Sequence, residues 1–175
     1  MTLPRGQWVR GVRLGIDVGT VRIGVAVCDP DGILATPLVT VARDPGPDSG
    51  KPAKSQKAVT ESDVIGQTSG VPRDVADIAR LVEEHACVEV VVGLPVNLAG
   101  QEGPAAKKIR DYARILADAI APVPIVMADE RMSTVTAARR LSDRGVKGKR
   151  QRAVVDQAAA VEILQHYLES RRRQR

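Results

Sequence analysis

Residues 13–28 read RLGIDVGTVRIGVAVC, two short runs rich in valine and isoleucine on either side of a Gly-Thr step. Runs of β-branched residues separated by a glycine-containing turn are typical of a β-hairpin. We therefore predict strands over Val12–Asp17 and Ile23–Cys28. A third strand, predicted over Ile33–Val41, follows the turn sequence Asp29-Pro30-Asp31-Gly32. Strands joined by such short connections form an antiparallel meander.

Downstream of the meander, predicted helices and strands alternate. In chain order they are a helix over Arg73–His85, a strand over Val88–Gly93, a helix opening at Gly103-Pro104, a strand over Val123–Ala128, a helix from Ser133 or Thr134 to Leu141, and a last helix over Ala153–Glu169. Alternation of this kind produces parallel crossover connections. The predicted fold class is therefore α/β: a mixed five-stranded sheet, an antiparallel meander followed by parallel crossover strands, flanked by helices.

The size and composition predict one domain. The chain has 175 residues, 43% of them hydrophobic, and a net charge of +5. Residues 43–70 are dominated by Gly, Pro, Ser and charge, which predicts a flexible loop. No apolar run approaches the roughly 18 to 20 residues of a membrane span, and Arg5 and Arg10 interrupt the segment where a signal peptide is apolar. We therefore expect a cytoplasmic protein without a membrane partner.

Positive charge is concentrated in two segments. Residues 144–152 include five basic residues and no acidic one, and residues 171–175 form a basic tail. Clustered positive charge predicts a polyphosphate partner such as nucleic acid, and a solubilising surface is the alternative. The chain has no Phe, one Trp and two Tyr, too few for the base-stacking platforms of RNA-recognition or OB-type modules. A bound nucleic acid would therefore be held mainly through its backbone.

The two cysteines do not predict a zinc site. Cys28 and Cys87 are neither a CxxC pair nor close to a histidine with metal-ligand spacing. Both lie in or beside apolar runs, so we expect buried, reduced thiols. Because Cys28 adjoins a predicted turn, an exposed thiol that pairs between subunits is the alternative.

Acidic residues occur at three unusual places in the sequence. Asp17 lies inside a predicted apolar strand, and Asp129 and Glu130 follow another. Asp156 lies on a predicted helix face that is otherwise apolar, so its side chain should point toward the sheet. Adjacent strand residues point to opposite faces, so only one of Asp129 and Glu130 can share a face with Asp17.

Each acid has a structural interpretation as well as a functional one. Asp17 could accept hydrogen bonds from hairpin amides, Glu130 could pair with Arg131 or Arg139, and Asp156 could pair with an arginine of residues 144–152. Considered together, the three acids predict a shared cation site. Oxygen ligands without His or Cys select Mg²⁺ or Mn²⁺. Two such ions, roughly 3.5 to 4 Å apart, would activate water and stabilise the leaving oxygen in phosphodiester hydrolysis.

Four blocks of the sequence resemble a known family. RLGIDVGTVRIGVAV (13–27), VVVGLPVNLAG (90–100), ADERMST (128–134) and VVDQAAAVEILQHYL (154–168) are similar, in order and spacing, to the conserved blocks of the YqgF family. Members of this family are small bacterial RNase H-like proteins described as Holliday junction resolvases and as nucleases for the 5′ end of precursor 16S ribosomal RNA. The resemblance extends over residues 13–168.

The resemblance implies an RNase H-like nuclease that requires a divalent metal. Asp17, Glu130 and Asp156 occupy the family's acidic positions, which implies that they are catalytic and bind the metals. Substrate-facing positions implied by the family or by the basic segment are Asn97, Arg131, Lys147, Lys149, Arg150 and Arg152. The implied partner is precursor rRNA or branched DNA. Symmetrical cleavage of a DNA junction would additionally require a homodimer.

Two other classes of function compete with a nuclease. The string GIDVGT (15–20) also resembles the phosphate-binding hairpin of sugar kinases and actin-like ATPases, but those enzymes need a second copy of the fold and 175 residues hold one. A Walker A string is absent. A non-catalytic RNA- or DNA-binding factor in ribosome assembly or transcription would leave the three acids with structural roles only. Loss of a metal-dependent activity on replacing the acids separates that factor from a nuclease.

Overall fold

The protein is described here by a computed structural model that covers residues 8–44, 70–95, 102–129 and 149–174. Its strands and helices, numbered in chain order, are β1 (Arg13–Val18), β2 (Arg22–Cys28), β3 (Ala35–Ala42), α1 (Arg73–Glu84), β4 (Glu89–Leu94), α2 (Pro104–Ile120), β5 (Ile125–Asp129) and α3 (Lys149–Arg173). The predicted helix between Ser133 or Thr134 and Leu141 lies outside these residues, as does nearly all of the predicted loop over 43–70.

The five strands form one mixed sheet in the order β3-β2-β1-β4-β5. β1 pairs antiparallel with β2, and β2 pairs antiparallel with β3. β1 also pairs parallel with β4, which pairs parallel with β5. The structure therefore confirms the predicted α/β class, in which a meander is continued by parallel crossover strands.

The two faces of the sheet carry different cores. On one face, strand residues such as Ile16 and Val92 pack with Ile78 of α1 and Leu116 of α2. On the other face, smaller residues such as Ala26 lie under α3. Gly15 shows how close this packing is, because a Cβ atom there would lie 2.5 Å from the Cβ of Leu164. Alternate strand residues point to opposite faces, so the sequence pattern of β1 determines which side chains face α3.

Most strand and helix boundaries differ from the predictions by one or two residues, and the differences at β3 and α3 have a clear physical reason. β3 begins at Ala35 instead of Ile33, because the amides of Ile33 and Leu34 donate to Asp29 Oδ1 at 2.9 and 2.6 Å and remain in the preceding turn. α3 begins at Lys149 instead of Ala153, and it continues to Arg173. Lys, Arg and Gln are good helix formers, so the basic sequence before residue 153 extends the helix instead of remaining a loop.

The arginines near the end of the chain belong to this helix. Arg171, Arg172 and Arg173 form its last turn. Arg172 Nη2 donates to the backbone oxygens of Gly32 at 2.9 Å and Ile33 at 3.0 Å. Basic side chains at a helix C-terminus also interact favourably with the helix dipole. Arg172 therefore has a structural role at the β2–β3 turn.

Both cysteines are buried. Cys28 is 4% exposed, and the backbone amide of Arg13 donates to its Sγ at 3.3 Å. Burial raises the pKa of the Cys28 thiol and raises that of Cys87 to about 11. The alternative of an exposed Cys28 that pairs between subunits is wrong, since the turn beside it leaves the strand end covered by α3. None of the helices within the described ranges combines the length and apolar character needed to cross a membrane.

Candidate active site

Asp17 is a carboxylate inside the sheet. It lies in β1 and is 2% exposed. Its Cα partner on β2 is Gly24. Directly opposite residues of an antiparallel pair point to the same face of the sheet. Asp17 therefore points to the face on which Gly24 leaves a gap, because glycine has no side chain. Gly15, two residues earlier on β1, faces α3, and the alternation of the strand places Asp17 on that face too.

The first turns of α3 cross the sheet at Gly24. A Cβ atom on Gly24 would lie 1.9 Å from the backbone oxygen of Asp156 and 3.1 Å from the amide nitrogen of Gln157. The helix backbone can approach this closely only because Gly24 has no side chain. Since Gly24 is also the partner of Asp17, the helical segment that carries Asp156 lies beside Asp17 on the same face of the sheet.

The side chain of Asp156 is paired with an arginine of β2. Arg22 Nε donates to Asp156 Oδ2 at 3.0 Å, and the two side chains are 21% and 17% exposed. The predicted structural partner of Asp156, an arginine of residues 144–152, has its side chain outside the described residues, and within them the partner of Asp156 is Arg22. Sequence reasoning missed Arg22, although strand alternation already places it on the same face as Gly24.

Hydrogen bonds elsewhere along α3 hold the helix on the meander. Gln157 Nε2 donates to Thr40 Oγ1 at 3.0 Å, beside the Asp156 position. Farther along the helix, Gln165 Oε1 accepts from the backbone amide of Ala35 at 2.9 Å, and Gln165 Nε2 donates to the backbone oxygen of Ile33 at 3.2 Å. The position of Asp156 is therefore set by several contacts besides its own ion pair.

The end of β5 presents alternating side chains to the two faces. Ala128 packs with the residues under α3, whereas Ile125 and Met127 pack with the α1 and α2 side. Asp129 has the same parity as Met127, so the strand directs it to the α1 and α2 side. Glu130 follows the last residue of the strand and lies outside the described residues.

Two other carboxylates, Glu89 and Asp74, have hydrogen-bond or ion-pair partners within the fold. Glu89 Oε2 accepts from Arg13 Nε and from the Tyr167 hydroxyl, each at 2.8 Å. Asp74 is fully buried in α1, and Arg43 lies 3.4 Å from its Oδ2. Burial raises the pKa of Asp74. Asp74 also accepts hydrogen bonds from the backbone amides of Asp44 and Val75, so contacts within the fold explain its burial.

The described part of the chain brings together two of the three predicted acids, Asp17 and Asp156. It also includes Lys149, Arg150 and Arg152 as residues of the first turns of α3, on the same helix as Asp156. The other predicted positions, Asn97, Glu130, Arg131 and Lys147, lie outside the described residues.

The chemistry of the donor set fits a hard divalent cation. Asp17 and Asp156 offer carboxylate oxygens, the ligands that Mg²⁺ and Mn²⁺ prefer. Within the described ranges no group of three His, Cys, Asp or Glu side chains could hold an ion. Asp17 and Asp156, together with the predicted Glu130 that lies outside the described residues, would make the predicted set of three carboxylates.

Comparison with known proteins identifies a family and close relatives. The RuvX family, described as Holliday junction resolvase, matches residues 11–75 and 52–170 of this chain. A relative from Streptomyces avermitilis is 52% identical over 163 residues, which are 93% of this chain and 88% of that protein. A relative from Mycobacteroides abscessus is 49% identical over 164 residues, 94% of this chain and 84% of that protein. Both carry the name "Putative pre-16S rRNA nuclease".

A solved structure is similar at lower identity. RuvC of T. thermophilus, in complex with a Holliday junction substrate, is 16% identical, with a TM-score of 0.48. The match covers 94% of this chain and 97% of that one.

Proposed function

This chain belongs to the RuvX family of Holliday junction resolvases, and on that premise we propose that it is a divalent-metal-dependent nuclease. It hydrolyses phosphodiester bonds in structured nucleic acid, at the 5′ end of precursor 16S rRNA, at Holliday junctions, or at both. The observation that carries the proposal is the meeting of Asp17 and Asp156 on one face of the sheet, on either side of Gly24. Two carboxylates on one face, of which Asp17 is buried and Asp156 partly exposed, are costly unless a cation or hydrogen-bond donors compensate for the charge.

The third carboxylate of the proposed site is Glu130. The last residue of β5 that packs toward α3 is Ala128, and strand side chains repeat on one face every second residue. This alternation favours position 130 over position 129 for a carboxylate on the face of Asp17. The family resemblance supports the same choice, since Glu130 occupies one of its acidic positions.

Asp17, Glu130 and Asp156 would hold the metal ions, and Mg²⁺ or Mn²⁺ suits their oxygen ligands. A bound pair of divalent ions lowers the pKa of the attacking water and stabilises charge on the leaving oxygen. Asp17 is 2% exposed and fixed in the sheet, so its carboxylate provides a rigid negative charge. Asp156 lies at the edge of the same site with 17% exposure, where a substrate phosphate can approach.

The N-terminal turns of α3 are the proposed contact for the substrate backbone. They contain Lys149, Arg150 and Arg152, all within two turns of Asp156 along the helix. Positive side chains and the N-terminus of a helix both attract phosphate groups. Lys147, Arg131 and Asn97 complete the proposed substrate-facing set. Contacts of this type position the nucleic acid without reading its sequence.

The cellular setting follows from this function. Precursor rRNA and recombining DNA are cytoplasmic in bacteria, and buried reduced cysteines suit a reducing compartment. Cleavage of both strands at a junction by the proposed site, which each chain would supply once, would require a homodimer. Trimming of rRNA has no such requirement.

The test compares the wild-type protein with Asp17→Asn and Asp156→Asn on labelled precursor 16S leader RNA and on four-way DNA junctions. Reactions contain Mg²⁺, Mn²⁺ or EDTA, and Asp111→Asn, an exposed acid of α2, is the matched control. We expect metal-dependent cleavage by the wild type and the control, and none by the site variants. The substrate cleaved faster distinguishes rRNA maturation from junction resolution. Binding without cleavage under both metals would support the non-catalytic factor instead.

A further inference from the structure

Arg22 is a positive charge built into the candidate metal site. It is the first residue of β2, and the alternation of that strand places it on the α3 face with Gly24. Its Nε donates to Asp156 Oδ2 at 3.0 Å. Among the described residues, it is the one cation in an ion pair with Asp156. A proposed ligand of a divalent ion is thus already neutralised by a guanidinium.

We infer that Arg22 acts as an internal competitor of the divalent cation for Asp156, and this inference rests on the proposed function. In the cation-free protein, Arg22 compensates for the charge of Asp156 beside the buried Asp17. When a divalent ion binds, the guanidinium must release Oδ2 or remain as a like charge next to the ion. Either outcome weakens cation binding compared with a site that has a neutral residue at position 22.

If Arg22 were needed to hold Asp156 in place, a neutral residue at position 22 would weaken cation binding instead of strengthening it. The structure argues against that role, because other contacts fix this part of α3. The backbone of Asp156 lies against Gly24, and the next residue, Gln157, donates to Thr40 at 3.0 Å. Without Arg22, Asp156 would keep its position on the helix and lose only its counter-ion. The electrostatic effect on the ion should therefore exceed the loss of positioning.

The test measures Mn²⁺ binding by titration calorimetry to the wild type, Arg22→Gln and Arg22→Lys, without any nucleic acid. We expect Arg22→Gln to bind Mn²⁺ with a Kd lower on the order of tenfold, because a neutral side chain replaces a cation at the ligand. Arg22→Lys keeps the charge and should stay within about threefold of the wild type. The matched control is Arg43→Gln, which breaks the ion pair between Arg43, just after β3, and the buried Asp74 of α1, and should leave the Kd unchanged.

A Kd for Arg22→Gln equal to or higher than that of the wild type would overturn the inference while leaving the metal site intact. Absence of Mn²⁺ binding by the wild type would overturn both the inference and the proposed metal site. The two failures are therefore distinguishable, and neither depends on detecting cleavage.

A second measurement uses the wild-type protein alone, in case Arg22→Gln does not fold. The Nε–H of Arg22 donates a hydrogen bond, so its signal in nitrogen-15 NMR should exchange slowly with water in EDTA. We expect saturating Mg²⁺ to shift this signal and to increase its exchange rate, while the Nε–H of Arg13, bonded to Glu89, stays unchanged. An unchanged Arg22 signal in Mg²⁺, under conditions where Mg²⁺ binds, would overturn the inference.

Discussion

The backbone oxygen of Asp156 lies 1.9 Å from the point that a Cβ atom on Gly24 would occupy. No side chain can be placed there without moving the helix. Gly24 is paired with Asp17 across the β1–β2 ladder and packs against the backbone of Asp156. One glycine therefore contacts the backbone segments that carry both carboxylates. The spacing of the candidate active site therefore depends on a residue that carries no chemistry of its own.

Gly24→Ala is expected to separate α3 from the sheet. The added methyl group would overlap backbone atoms, and overpacking of this kind costs about 1 to 3 kcal/mol of unfolding free energy. Because the displaced segment carries Asp156, we expect a loss of cleavage activity larger than the loss of folded protein can explain. Urea denaturation and cleavage assays on the same preparation check this. Gly103→Ala is the control, since no atom lies within 4 Å of a Cβ there; equal losses in the two variants would contradict the close packing.

Asp129→Asn is expected to reduce cleavage less than Glu130→Gln does. Asp129 has the parity of Met127, which packs on the α1 and α2 side of the sheet. An amide at position 130 would instead remove one of the three proposed metal-binding charges. Steady-state cleavage with Mg²⁺ and with Mn²⁺ measures both variants. The reverse order would mean that Asp129, and not Glu130, belongs to the site.

Lys149→Ala is expected to weaken nucleic-acid binding in a salt-dependent manner. Loss of one phosphate contact should reduce the slope of log K against log salt by roughly 0.7 to 0.9. Binding is measured by fluorescence anisotropy in EDTA at several salt concentrations, so that cleavage does not interfere. Lys108→Ala, an exposed lysine of α2 on the other side of the sheet, should leave the slope unchanged. An unchanged slope in Lys149→Ala would show that Lys149, at the start of α3, does not contact the substrate phosphates.

Asp29→Asn is expected to destabilise the fold at neutral pH and not in strong acid. The amides of Leu34, Ile33 and Asp31 donate to the Asp29 carboxylate and lower its pKa. A lowered folded pKa contributes stability above the unfolded value of about 3.9, and this contribution is lost as pH falls through the folded pKa. The wild type should be more stable than Asp29→Asn at pH 7, and the difference in free energy of unfolding should shrink below pH 4. Urea titrations between pH 2 and pH 7 test it; a difference that does not depend on pH would contradict a role for the carboxylate charge.

Local patterns in the sequence were sufficient for the architecture. The valine and isoleucine runs around Gly19 predict the hairpin, and the alternation of helices and strands after residue 70 predicts the parallel half of the sheet. Asp17 and Asp156 could be selected because a charged residue in an apolar strand or on an apolar helix face is costly unless it has a role. These features depend on residue type and on periods of two or 3.6 residues, which are visible without tertiary contacts.

Only the tertiary structure placed these residues with respect to one another. Arg22 and Asp156 are 134 residues apart in sequence, and their ion pair depends on where α3 crosses β2. Gly24 is one of several strand glycines, and its importance appears only with the helix backbone against it. The start of α3 was also missed, because four further residues with good helix propensity precede the apolar stripe. Periodicity fixes which face a side chain occupies, whereas the register of the strands and the packing of the helix determine its partner.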